Sequence, residues 1–169
     1  MFPHTDEKKM ENERLKMAGR VVFTHFDKEG KAIKRWRCDN LVVNRGKEIV
    51  AKLLNGVVTN FFDYIQIGVG TTEEIEGEIV KVTHRPREDD TALEGYYMEG
   101  AAKRSYDEDY KGARWSYTFG FTEPATITEA GLFDGPHDTA PNMLSRVVFP
   151  AEVMEASECL RVAWIISFQ

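Results

Sequence analysis

The stretch ARWSYTFGF, residues 113–121, decides the fold class of this chain. Aromatic side chains occupy every second position, at Trp115, Tyr117, Phe119 and Phe121, and polar residues stand between the first three. A period of two is typical of an antiparallel strand that turns one face to the core and the other to water. The stretch therefore predicts a half-buried β-strand whose aromatic side chains fill a core.

Several other segments share this strand-like pattern, and turn-forming residues separate them. RVVFTHF (20–26) and AIKRWRC (32–38) flank the turn sequence Asp27–Lys31, and this arrangement predicts a β-hairpin. The segment 96–110 predicts one strand, followed by an acidic turn at Asp107–Gly112. Further strands are predicted at Phe62–Ile67 and in ATITEAGLFD (125–134), MLSRVVF (143–149) and CLRVAWIISF (159–168).

NRGKEIVAKLLNG, residues 44–56, has the period of a helix instead. Asn44 is a suitable N-cap, and Asn55–Gly56 is a suitable stop signal. Four apolar residues fall on one face at helical spacing: Ile49, Val50, Leu53 and Leu54. The segment predicts a short amphipathic helix that lies across a sheet.

These elements predict a mainly β protein, an antiparallel β-sandwich or small barrel with one short amphipathic helix packed on it. Residues 1–19 are highly charged and predict an N-terminal arm or short helix. Residues 20–169 form a single β-rich domain in this interpretation. A long charged loop is expected near residues 71–95, with one short strand at Ile79–Val82.

The composition argues against several classes of partner. A net charge of −6 and a pI of about 5.3 disfavour broad binding of nucleic acid or of an anionic membrane. Lys31, Lys34, Arg35 and Arg37 are a candidate basic patch, or only the wet face of a strand. We find no signal-peptide pattern and no apolar run long enough to cross a bilayer, so we expect synthesis and folding in the cytoplasm without membrane insertion.

No group of residues indicates catalysis or metal binding more strongly than an ordinary structural role. The histidines, at positions 4, 25, 84 and 137, lie outside chelate spacing, and the acidic clusters Glu88–Asp90 and Asp107–Asp109 are typical of solvated turns. GVGTT (68–72) lacks the spacing of a phosphate loop. Cys38 and Cys159 are interpreted as buried thiols, although a disulfide between them stays open. We therefore predict no enzyme activity and no catalytic, cofactor-binding or metal-binding residues.

Aromatic strips at Tyr96–Tyr97 and 115–121 raise the alternative of a sugar-binding surface. The strict alternation of residues 115–121 favours a core position for that strip. A carbohydrate-binding or hydrolytic receptor-recognition domain is therefore the less favoured hypothesis, since it needs an exposed aromatic platform or a carboxylate pair in a cleft.

The order of the motifs resembles that of tailed-bacteriophage virion proteins, which include tail-fibre, tail-collar and related appendage or decoration proteins. The resemblance runs from Asn40 to Phe168 and covers most of the chain. It rests on several segments in the same order: NLVVNRGKEIVAKLL, YIQIGVGTT, DTALEG, ITEAGLFDG, LSRVVFP and LRVAWIISF. Two regions depart from the pattern, the charged insert Glu73–Asp90 and the arm Met1–Arg20, and both are candidate contact regions.

The resemblance implies a structural role for ITEAGLFDG. Ile127 would enter the core, Gly131 would permit a sharp change of direction, and Asp134–Gly135 would form a turn, while Leu132 and Phe133 would return the chain to the sheet. It also implies a non-enzymatic virion subunit, most of all a tail-fibre or baseplate-type appendage. Such a subunit would assemble as a homo-oligomer, with a trimer favoured, and would contact other virion proteins and the host surface. A capsid decoration or head-fibre protein is the alternative.

Overall fold

The computed structural model describes residues 16–169 and is mainly β, as the alternating pattern predicts. Most of the predicted N-terminal arm, Met1–Leu15, lies outside the described residues, and the first strand starts at Met17, earlier than the predicted end of the arm at residue 19. The strands are β1 (Met17–Phe26), β2 (Ala32–Val42), β3 (Tyr64–Gly68), β4 (Thr71–Ile75), β5 (Glu78–Val82), β6 (Tyr96–Ala101), β7 (Lys103–Asp107), β8 (Gly112–Gly120), β9 (Ala125–Phe133), β10 (Met143–Met154) and β11 (Cys159–Phe168).

Nine strands form one antiparallel sheet in the order β6-β3-β9-β10-β2-β1-β11-β8-β7. The sheet curves until β6 approaches β8, and the ring of Tyr117 fills the space where a side chain at Gly100 would stand. Tyr97 also stacks on Phe121, with ring centroids 6.2 Å apart. The sheet is therefore a nearly closed barrel, which decides between the two predicted architectures.

The aromatic residues of β8 line the barrel core as predicted. Trp115 and Phe119 are buried, and Trp115 lies opposite Trp164 of β11 in the register of the two strands. Trp164 is fully buried, and its Nε1 donates to the side-chain oxygen of Asn40 in the amide orientation that satisfies both groups. Phe168, at the end of the same alternating strand, is instead 46% exposed.

The predicted hairpin and helix are confirmed, but the predicted helix cap is wrong. β1 and β2 pair across the turn Asp27–Lys31, where Asp27 Oδ1 accepts a hydrogen bond from the Lys31 backbone N–H. Helix α1 spans Asn44–Leu54 and has Val43 at the N-cap position without a side-chain cap bond. Asn44 is already helical, and its backbone N–H donates to the Glu88 carbonyl, so a neighbouring loop satisfies the helix end.

The long loop expected at 71–95 is partly a hairpin. Within residues 16–169, β4 and β5 pair only with each other, and they meet at a turn whose central residues, Glu76 and Gly77, have φ of 52° and 80°. This is the geometry of a primed hairpin turn. The sequence does not show a clear alternation of apolar and polar residues here, because glutamates occupy both faces of a ribbon that lies outside the large sheet. The segment 83–95 lacks strands, as predicted.

The single strand predicted in 96–110 is wrong, because Ala102 separates β6 from β7, and these two strands lie at opposite edges of the large sheet. The predicted role of Gly131 is also wrong. Gly131 continues β9 without a turn, and a Cβ there would lie 2.6 Å from the ring of Phe133. Glycine is required at position 131 because a larger side chain would collide with the Phe133 ring, and not because the chain changes direction there. Ile127 enters the core as expected.

Candidate functional site

The end of helix α1, the segment after it and the end of β11 carry four large exposed apolar residues, which we call the end patch: Leu54, Val57, Phe61 and Phe168. Their exposed fractions are 80%, 67%, 59% and 46%. Single exposed apolar residues are ordinary, whereas groups of large ones are typical of interaction surfaces. The end patch is the candidate functional site.

The end patch borders an apolar cavity of about 160 Å³ through two of its four residues. Phe61 and Phe168 belong to both, and Leu53 of α1 and Met17 of β1 line the cavity. Among the described residues that line the cavity, Arg104 alone is charged, and its guanidinium carbon lies 4.7 Å from the centroid of the Phe61 ring. The further lining residues are Val50, Phe62, Ala113, Trp115, Leu144 and Ile166.

Helix α1 places this surface. Gly46 packs so closely on β10 that a Cβ would overlap the carbonyl of Leu144, and Ile49 is buried beneath the helix. Leu54, predicted on the buried face, ends on the exposed side at the last turn. After the helix, Phe61 turns outward while Phe62 enters the core. The adjacent pair Phe61–Phe62 was the only feature of the sequence that could have indicated this surface. Neighbouring residues in extended chain point to opposite sides, so one of the two rings must turn outward.

A buried ion pair lies on the outer face of the barrel, beneath the loop 83–95. Arg146 of β10 donates from Nε and Nη2 to Glu129 Oε2 of β9, at 3.0 and 2.8 Å, and both side chains are almost completely buried. Glu129 also accepts from the backbone N–H groups of Gly95 (2.8 Å), Glu94 (3.2 Å) and Gly70 (3.3 Å). The pair therefore fastens the loop to the sheet.

The network continues to the surface. Arg146 Nη1 donates to Asp90 at 2.9 Å, and Glu94 contacts His84 Nδ1 at 2.8 Å, while His84 Nε2 lies 3.0 Å from Glu73. Burial lowers the pKa of Arg146, but hydrogen bonds to Glu129 and Asp90 outweigh it, so the pKa is raised and the charge is held. Asp90, one of the predicted acidic cluster, is thus committed to an ion pair.

A second cluster joins β1 to β10. His25 is buried, and its Nδ1 donates to Glu152 Oε1 at 2.7 Å, while Nε2 lies 3.1 Å from Glu158 without hydrogen-bond alignment. Glu152 Oε2 accepts from Lys34 at 2.5 Å. Burial raises the pKa of Glu152, but the hydrogen bonds from Lys34 and His25 outweigh it and hold the pKa below its ordinary value. The cluster is a cross-link between strands.

The predicted basic patch is divided by the sheet. Lys34 pairs with Glu152, whereas Arg35 and Arg37 stand on the opposite, outer face of β2, because successive residues of a strand alternate. Lys31 lies in the turn before β2. The fold does not unite the four residues, and it brings the two arginines beside arginines of other strands instead.

The other sequence candidates lie apart from the end patch. Tyr96 stacks on His137, with centroids 3.8 Å apart, and burial together with Glu99 and Asp138 raises the pKa of Tyr96. Asp107 pairs with Arg114 at 3.3 Å. Cys38 and Cys159 are half-buried free thiols, so the disulfide left open by the sequence is not formed. Burial, together with the neighbouring charge of Asp39, raises the pKa of Cys38. His4 lies outside the described residues.

Comparisons with protein-family models, with curated proteins and with solved structures found no match. Within residues 16–169, no group of three or more histidine, cysteine or carboxylate side chains is placed to hold a metal ion. In the same part of the chain, no helix has the length and apolar character needed to cross a membrane.

Proposed function

We propose that this protein is a non-enzymatic structural component of a tailed-phage virion, a tail-fibre or baseplate-type appendage subunit that acts through assembly. The end patch is the observation that carries the assembly role. The order of the motifs between Asn40 and Phe168, which resembles that of phage virion proteins, supports the virion assignment.

The physical reason is the cost of exposed apolar surface. Each Å² of apolar surface removed from water contributes about 25 cal/mol, so covering four large side chains and a cavity mouth favours association. The patch has a floor that is already built, since Ile49 and Phe62 are buried beneath it. A partner therefore meets an ordered surface and loses little freedom in forming it.

The start of the described chain lies beside the same surface. Lys16 and Gln169 exchange backbone hydrogen bonds of 2.9 and 2.8 Å, and Met17 lines the cavity. The residues before Lys16 therefore join the barrel next to the end patch. We propose that Met1–Leu15 and the end patch act together in contacts with other copies of the chain, with a trimer favoured, and with other virion proteins.

A capsid decoration or head-fibre protein is the second candidate. The position of the chain start favours it specifically, because an arm that leaves the domain at an apolar surface can bind a shell while the patch rests on it. The insert Glu73–Asp90 is the other predicted contact region. It remains a candidate contact because it is charged, whereas the end patch is apolar.

The mass of the purified protein in solution, measured by light scattering, tests the proposal. The wild-type protein is expected to form a closed oligomer, and the L54S/F61S variant is expected to shift towards monomer by about tenfold or more in dissociation constant. The matched control is I33S/V153S, which removes two residues of similar exposure, 54% and 56%, outside the end patch. The control should keep the wild-type mass.

A wild-type protein that stays monomeric on its own and in purified particles would contradict the assembly role. Deletion of Met1–Leu15 gives a second readout, because it leaves β1 and the Lys16–Gln169 pairing intact. The shortened protein should fold with an unchanged melting midpoint and be incorporated poorly into particles. Normal incorporation would show that the arm has no part in attachment.

A further inference from the structure

The outer face of four neighbouring strands carries five arginines, which we call the arginine face: Arg20, Arg35, Arg37, Arg114 and Arg161. All five line one shallow depression of about 680 Å³. The strand registers bring them together, since Arg37 lies beside Val22, Val22 beside Ala163, and Arg161 beside Thr24. In a chain of net charge −6, this is a local reversal of sign.

The depression has an apolar floor. Ala163 and Ile165 point outward from β11, yet each is only 5% exposed, because the surrounding long side chains cover them. Two of the guanidinium groups rest on aromatic rings, Arg20 on Tyr110 at 4.5 Å and Arg161 on Phe26 at 4.8 Å. Stacking orders a guanidinium while its edge N–H groups stay available to a carboxylate.

These arginines have almost no carboxylate partners within residues 16–169. Asp107 lies 3.3 Å from Arg114, and no ion pair is formed by Arg20, Arg35, Arg37 or Arg161 in the described part of the chain. Arginine edges that are ordered and open suit bidentate binding of carboxylates. The surface therefore fits an acidic partner with some apolar content.

The hairpin β4–β5 has this composition, and we call it the glutamate hairpin. Its tip and outward face hold Glu74, Glu76 and Glu78, none of which forms an ion pair with another described residue. Ile75 and Ile79 on the same ribbon are 48% and 78% exposed. The hairpin thus offers three free carboxylates and two uncovered apolar side chains.

The turn of the hairpin keeps Glu76 at a positive φ of 52°, where glycine, asparagine or aspartate is preferred. Residues held in such conformations cluster at active sites, ligand clamps and switch regions. Here the strain places a third glutamate at the tip of a ribbon that already holds two.

We propose that the arginine face of one copy binds the glutamate hairpin of a neighbouring copy. The inference rests on the proposed assembly role. Strands β9, β10 and β2 separate β3, which leads into the hairpin, from β1. The two surfaces therefore lie on different sides of the barrel, and they are not in contact within one molecule. Joining unlike surfaces gives a head-to-tail contact, which closes into a ring when the rotation permits.

Charge reversal tests the contact. R35E/R37E and E74K/E76K should each raise the dissociation constant of the oligomer by about tenfold or more, because each brings like charges together. The four-fold variant R35E/R37E/E74K/E76K exchanges the signs and keeps the net charge of −6, so it should recover the wild-type mass. The matched control K28E/K47E reverses two exposed lysines outside the face and should have no comparable effect.

The dependence on salt is a second readout. Wild-type association should weaken between about 0.05 M and about 0.5 M NaCl, since exposed charges are screened beyond about 10 Å at 0.1 M. The four-fold variant should show the same dependence, and the L54S/F61S variant should keep its residual salt sensitivity. Melting curves of all variants confirm that each one is folded.

Four outcomes overturn the inference. The contact is refuted if both charge-reversed double variants keep the wild-type mass. It is also refuted if the variant with all four substitutions is folded but does not recover association. Both results leave the assembly role of the end patch intact. Binding of single-stranded DNA that R35E/R37E abolishes, with an unchanged oligomer, identifies a nucleic-acid partner instead. A wild-type monomer at every salt and protein concentration contradicts the proposed function, which is a distinguishable result.

Discussion

Replacing Arg146 with methionine should destabilise the protein strongly, because the change leaves a buried carboxylate without its cation. The Arg146 side chain is 1% exposed and that of Glu129 is 0% exposed. Methionine keeps most of the apolar length of arginine, so the cavity contribution is small. Breaking a buried pair by removing one partner costs about 3–5 kcal/mol.

The structure places the expected value near the lower limit. Glu129 keeps the hydrogen bonds from three backbone N–H groups, at Gly70, Glu94 and Gly95, which continue to stabilise its charge. We expect a loss of about 3 kcal/mol in the free energy of unfolding. For a chain of this size the melting midpoint should fall by roughly 6–12 °C.

Urea denaturation measures the loss, and two further variants interpret it. R45M removes an exposed arginine whose pair with Glu48 is 43% and 48% exposed, so it should change the free energy of unfolding little. The double variant E129Q/R146M removes both charges but keeps a side-chain oxygen that can accept from the backbone N–H groups of Gly70, Glu94 and Gly95, so it should recover part of the stability. Hydrogen exchange of residues 83–95 should quicken in R146M, because the loop loses its fastening.

An R146M variant that costs less than about 1 kcal/mol would refute this reasoning. So would a double variant that is much less stable than R146M alone. The first result would show that water reaches the pair and that the loop 83–95 does not seal the outer face of β9 and β10. The second would show that the carboxylate of Glu129 stabilises the backbone N–H groups more than its unpaired charge destabilises the fold.

Two other predictions concern the core and the strand cross-link. Trp164→Ala should lower the free energy of unfolding by about 3–5 kcal/mol, because the side chain is fully buried. Trp164→Phe should lower it less, although it leaves Asn40 without its indole donor. An unchanged melting midpoint in the alanine variant would contradict the assigned core face. The lowered pKa of Glu152 contributes stability above about pH 4.5, and this stability is lost as the pH falls through the pKa of the folded state. The melting midpoints of wild type and Glu152→Gln should therefore differ most near neutral pH and converge in acid. A difference in melting midpoint that stays constant with pH would refute the linkage.

The sequence was informative wherever one face of an element is wet. The alternation in 113–121 and 159–168 predicted strands that the structure contains, and the turn between β1 and β2 was visible as Asp27–Lys31. It was less informative where both faces are covered or both are polar. Residues of β9 are buried on both faces beneath the loop 83–95, and the glutamate hairpin is polar on both, so neither shows a clear period of two.

The sequence by itself determined the class of the fold, since periodicity records how many faces of each segment meet water. Only the tertiary structure decided which unlike segments become neighbours. It places Phe61, from the segment after the helix, at the same cavity as Phe168 from the last strand, and it sets Arg35 beside Arg161 across β1. Such surfaces depend on sheet order and on the closing curvature, which arise from contacts between distant parts of the chain. No local pattern records those contacts, and the candidate interaction surfaces therefore appear only in the folded protein.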